Sequence, residues 1–169
     1  MVYRAKKWIV SLAVFVFLAA AVVAGAGDVS CFYCGMKRSE YGHSWVVVSY
    51  DDHSTGEFCS LHCASIDMVL HTEKTAVTVL VGDYYTKKLI DADKAHWVIG
   101  GSKTGVMTTR AKWAFATKDA AISYMQAFGG EPGTLATAIK AAFEDMYEDI
   151  MMIHRKREMM RKKKMEGNS

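Results

Sequence analysis

An α+β fold is predicted for this chain. The first half reads strand, strand, helix, strand. The second half follows a similar order at the same coarse level, and the chain then ends in a long amphipathic helix. With 169 residues, half of them apolar and a quarter charged, the chain is long enough for one domain or two very small ones sharing a core.

The elements follow in order. Residues 28–43 are rich in Cys, Gly and charge and read as a loop. Residues 45–50 (WVVVSY) are β-branched and aromatic, as a strand requires, and residues 51–54 (DDHS) form a turn into a short second strand at 56–58. In 60–71, Leu61, Cys63, Ala64, Met68 and Val69 fall near a 3.6-residue period, which predicts a helix. Residues 76–81 (AVTVLV) make a strand closed by Gly82-Asp83. Strands are expected at 88–92, 96–99 and 113–116, with a flexible loop over 100–105 (GGSKTG). A helix over 118–128 stops at Gly129-Gly130. Pro132 stands where a further helix would begin. From Gly133 the pattern runs unbroken to about Met165, with Leu135, Ile139, Phe143, Met146, Ile150 and Ile153 on one face. No residue-level repeat relates the two halves.

Residues 1–26 carry Arg4, Lys6 and Lys7, then a 17-residue apolar run (8–24) and the A-x-A site Ala24-Gly25-Ala26. This is a secretory signal pattern. Cleavage after Ala26 is the expectation, an uncleaved N-terminal anchor the alternative; either puts the remainder outside the cytoplasm. Residues 27–131 are then one domain, and 132–169 an amphipathic helix with a basic tail. The segment 152–169 holds seven Lys and Arg against two Glu, while 27–151 is mildly acidic. That balance argues against nucleic-acid binding. The basic end is expected to be a frayed, solvated tail, with contact to a membrane surface or an acidic partner as the other reading.

The chemistry lies in the cysteines. Cys31-Phe32-Tyr33-Cys34-Gly35-Met36 places two thiols where a short loop can turn both onto one metal ion, and Gly35 permits a tight turn after Cys34. Met36 adds a thioether two residues beyond a thiol, a soft pair that suits Cu(I). Cys59 and Cys63, four apart, share a helix face and suit metal ligation better than an intrahelical disulfide. His62 points about 100° away from Cys63 and is expected to be an exposed helix histidine. Met107 follows the glycine loop, outside any apolar run, as a loop-borne thioether would. Met151, Met152, Met159 and Met160 sit at helical spacing and read as packing residues.

Cys34-Gly35-Met36 followed by Phe58-Cys59-Ser60 and Cys63 resembles YHS/TRASH metal-binding modules. Taken with Asp83-Tyr84-Tyr85-Thr86, the run Ile90 to Ala95, Met107, Ala114-Phe115, Ala120-Ala121 and Gly129-Gly130 in order, residues 31–130 resemble the NosL family, exported copper-binding accessory proteins of nitrous oxide reductase maturation. The resemblance implies a fold of two ββαβ units, capture of Cu(I), and delivery to a copper-receiving enzyme or membrane copper-transfer complex. It implies Cys34, Met36 and Met107 as ligands, with Cys31, Cys59 and Cys63 as further donors. Two features depart from the family: no cysteine follows the leader for lipidation, and the basic C-terminal helix is not expected.

Three other readings belong beside the copper carrier. Cys31, Cys34, Cys59 and Cys63 would make a closed structural zinc site. Cys31 and Cys34 would make a thiol-disulfide oxidoreductase, although the motif does not open a helix after a thioredoxin-like strand. The four cysteines would also make two plain disulfides. Haem attachment is excluded because Gly35 stands where that motif needs His. The chain has no Gly-x-Ser-x-Gly and no phosphate-cradling loop, so it reads as a non-enzyme.

Overall fold

The structure, a computed structural model, describes residues 28–167. The expected signal sequence and cleavage site lie outside the described residues. The first element is a short helix, α1 (Arg38–Tyr41), continued by a 3₁₀ turn (Gly42–Ser44). Then come β1 (Val46–Tyr50), β2 (Thr55–Phe58), α2 (Leu61–Leu70), β3 (Ala76–Gly82) and β4 (Leu89–Asp91). The four strands form an antiparallel sheet in the order β2-β1-β3-β4. Val46, Val48 and Tyr50 alternate inward along β1, the two-residue period of a half-buried strand.

The second sheet is β6-β5-β7, built from β5 (His96–Thr104), β6 (Arg110–Phe115) and β7 (Glu131–Gly133). Helix α3 (Lys118–Phe128) joins β6 to β7, and Thr117 caps it by accepting the Ala120 N–H. The hairpin, helix, strand order thus recurs in both sheets, with β4 added to the first. The sheets meet where Asp83 bridges to Ala114: the Tyr84 N–H donates to the Ala114 carbonyl at 2.9 Å, and the Ala116 N–H to Asp83 Oδ2 at 2.8 Å.

Three expectations are corrected. The flexible loop at 100–105 is mostly strand: β5 runs on to Thr104, with a register shift after Ile99. Gly100 and Gly101 take positive φ there, and a Cβ on Gly101 would come within 2.8 Å of the Phe128 carbonyl oxygen. Pro132 does not begin a helix but sits in β7, an edge strand where a missing N–H is tolerated. The long terminal helix is two helices, α4 (Leu135–Glu144) and α5 (Met146–Glu166), separated by Asp145.

Helix α4 starts with a reciprocal cap between Thr134 and Thr137. Its buried residues are Leu135, Ala138, Ala141 and Ala142; Ile139 packs half-buried against the core, whereas Phe143 is exposed. It packs on α2. One buried cluster spans both sheets, joining Trp45, Val46, Val48 and Phe58 to Trp97, Ala114, Leu135, Ala138 and Ala142; a second, with Val98, Trp113, Phe115 and Tyr124, lies between the second sheet and α3. In α5 only Asp149 is buried, and residues 154–167 are all exposed. Among the described residues no helix is long and apolar enough to cross a membrane.

Candidate metal centre

Backbone geometry brings the two cysteine pairs together. The Cys31 N–H donates to the Met36 carbonyl (2.8 Å) and the Gly35 N–H to the Cys31 carbonyl (2.9 Å), closing a tight turn. Gly35 completes it at φ +74°, a conformation costly for any residue with a Cβ. Cys59 ends the first hairpin, and Cys63 lies one turn on in α2. The Ser44 hydroxyl donates to the Cys59 carbonyl at 2.7 Å and fixes that corner. Aromatic anchoring completes the clamp: Tyr33 donates to Asp67 Oδ1 of α2 at 2.7 Å, and Tyr50 donates to Oδ2. The Tyr33 ring stacks on Phe58.

The four cysteines are free thiols whose sulfurs all lie within 4.8 Å of one another. Cys34 Sγ is 3.4 Å from Cys59 Sγ, and Cys59 Sγ is 3.7 Å from Cys63 Sγ. A tetrahedron of sulfurs about 2.3 Å from a central ion has edges of roughly 3.8 Å, so the cluster is spaced to hold one metal. Cys31, Cys59 and Cys63 are buried, whereas Cys34 is half-buried.

Mutual contact splits the thiols. Hydrogen bonds from Cys34, then Cys59 and Cys63, hold Cys31 far below the ordinary thiol value. Cys31 pushes Cys34 up, but Cys59 and Cys63 outweigh it and bring Cys34 down to about 7. Cys59 and Cys63, both pushed up first by Cys31 and then by Cys34, keep their protons. A bound metal would displace those protons.

Cys34 faces outward into a cavity of about 430 Å³, which Met36 and Met107 also line. The structure therefore brings together all six residues singled out in the sequence: four in the thiol cluster, two on the cavity beside it. Met107 has φ +60°, a left-handed backbone that costs a residue with a side chain about 1–2 kcal/mol.

Other residues were missed. His62 is not an exposed helix histidine: it is buried, with Nδ1 3.3 Å from Asp149 Oδ2 of α5, and burial lowers its affinity for a proton. Asp149 Oδ1 accepts the Thr109 N–H at 3.1 Å, so one carboxylate ties together α2, α5 and the Met107 loop. Lys112, also buried, donates to Asp145 Oδ2 (2.6 Å) and Thr108 Oγ1 (3.1 Å). Met152 and Met160 do not simply pack: both line the cavity beside Cys34, and Met160 is exposed. No periodicity distinguishes a core face from a cavity face, so only the docking of α5 reveals them.

The family model for NosL matches residues 23–143. The chain belongs to the NosL family. Among solved structures it is similar to the copper chaperone NosL from Shewanella denitrificans, at 23% identity over 63% of this chain and 86% of that one, with a TM-score of 0.52. That likeness shows a shared fold. No curated protein matches. The NosL match ends at residue 143, so α5, with Met152 and Met160, lies beyond it.

Proposed function

We propose that this chain is a non-enzymatic carrier that takes up Cu(I) as cargo and passes it to a copper-receiving enzyme or membrane copper-transfer complex. The observation that carries the reading is an all-sulfur cluster whose one half-exposed thiol, Cys34, opens onto a cavity lined by the thioethers of Met36 and Met107. Sulfur donors with no oxygen among them suit a soft ion. Thioethers hold Cu(I) more weakly than thiolates, which favours release to a competing site. Membership of the NosL family and the named function of the Shewanella denitrificans protein support copper as the metal. Nitrous oxide reductase in the periplasm is the recipient and setting that the resemblance suggests.

The test is an anaerobic Cu(I) titration of the full chain against a chromophoric chelator. Cys34→Ser and Met107→Leu should each weaken binding by at least about tenfold, or roughly 1.4 kcal/mol. Unchanged affinity in both would overturn the reading.

A structural zinc site is a second reading, favoured by the burial of Cys31, Cys59 and Cys63. It requires that Met107→Leu leave metal content unchanged and that a Co(II) substitute show a tetrahedral, four-thiolate spectrum. We further propose that the exposed basic half of α5 contacts anionic headgroups. The chain should then sediment with anionic vesicles at low salt and release from them as salt is raised.

A further inference from the structure

We infer that α5 is a copper-relay arm: Met160 and Met152 pass Cu(I) in steps along the cavity wall to Met107, Met36 and finally Cys34. The inference rests on the copper reading above and adds a thioether path separate from the thiol cluster. Its basis is the cavity itself. Met152 and Met160 line it together with Cys34, Met36 and Met107. The first is half-buried and the second exposed, so the arm presents an inner and an outer thioether.

Spacing decides between a relay and one coordination sphere. Eight residues of helix separate the two methionines by about 12 Å along the axis. Two flexible side chains would have to lean toward each other across that span to share an ion. Separate stations require that lean only at the moment of handover, with Met160 the more exposed donor and Met152 the more buried. The order is also energetically downhill, because each step ends on a donor at least as strong and the last is a thiolate. Copper stays monovalent throughout. At the last step a Cu–S bond to a thioether breaks, a Cu–S bond to Cys34 forms, and any thiol proton leaves to solvent. Lys156 and Arg157 line the same cavity. Their positive charge offsets the negative charge of a metal-thiolate centre.

A relay alters rates, not the final equilibrium. Cu(I) is presented to the full chain as its bicinchoninate complex under anaerobic stopped flow, and affinity is measured separately. A Met152→Leu/Met160→Leu double variant should slow transfer at least about tenfold while its Kd stays within about threefold of the parent. Met159→Leu, whose side chain is exposed but does not line the cavity, should transfer at the parental rate. Leucine is a strong helix former, and an unchanged circular dichroism spectrum and Tm confirm that the variants fold. Parental transfer by the double variant overturns the relay. So does a tenfold loss of equilibrium affinity, which would make these residues ligands of the resting site. If Cys34→Ser and Met107→Leu instead both leave binding unchanged, the copper reading itself fails, and the relay with it.

Discussion

Cys34 differs from its three neighbours both in exposure and in proton affinity. In metal-free protein it should be the first cysteine alkylated by iodoacetamide, faster as pH rises through about 7, and protected once metal is bound. Peptide mapping of the alkylated protein reads this directly; first modification of Cys59 or Cys63 would contradict it. Asp149 is the other decisive residue. Asp149→Ala removes the partner of buried His62 and the acceptor for the Thr109 N–H, and should cost about 1–3 kcal/mol in urea unfolding. Asp149→Asn keeps an acceptor for Thr109 and should cost less. The thiols were legible in the sequence because C-x2-C and C-x3-C are local spacings that a turn and a helix convert directly into convergence. Met107 was legible chiefly through the family resemblance. His62 was misread because its angle from Cys63 says where it points on α2, not that α5 packs there from 87 positions away.

At the scale of elements, the α4–α5 joint is a charged lock. Asp145 Oδ2 accepts from Arg110 Nε (2.8 Å) and Lys112 Nζ (2.6 Å), and Arg110 also reaches Glu144 (3.0 Å). Burial pushes the Asp145 carboxyl up, but Arg110 and then Lys112 outweigh it and hold the group below the usual carboxylate range. A carboxylate depressed in the folded state stabilises above its unfolded pKa, and that contribution fades as pH falls through the folded value. Amide exchange and proteolytic cleavage in α5 should therefore rise below about pH 4, before the sheets open. Simultaneous opening of β1 and β3 would show that the lock is not local. In the first sheet β1 and β3 could be read from their β-branched runs and α2 from its helical period, whereas α1 falls in the stretch expected to be a loop. β7 could not, because three residues with a central proline carry no period. The break at Asp145 was also hidden: Asp is an ordinary residue in a surface helix, and only Arg110 and Lys112 from a distant strand make it a joint.

Across the whole molecule, the cysteine cluster fastens the loop before α1 to the corner between β2 and α2, beside a core that both sheets share. Metal bound only by the folded state adds about 2.7 kcal/mol when the free ion is at 100 times its Kd. Loading with Cu(I) should raise Tm, and a strong chelator should return it to the metal-free value. A Tm indifferent to loading would show that the cluster forms no closed linkage. The fold class was legible because β-branched and aromatic runs, a helical period and Gly or Asp turns follow one another in each half. The meeting of the halves at Asp83 and Ala114 was not, since a lone bridge leaves no pattern. Residues 161–167, exposed and outside the cavity lining, make a tip about 10 Å long. A recipient could thus be touched at a distance, by this tip, with no need to press against the sulfur-bearing face; close surface complementarity between donor and acceptor bodies would then be unnecessary, and one carrier could serve several differently shaped clients.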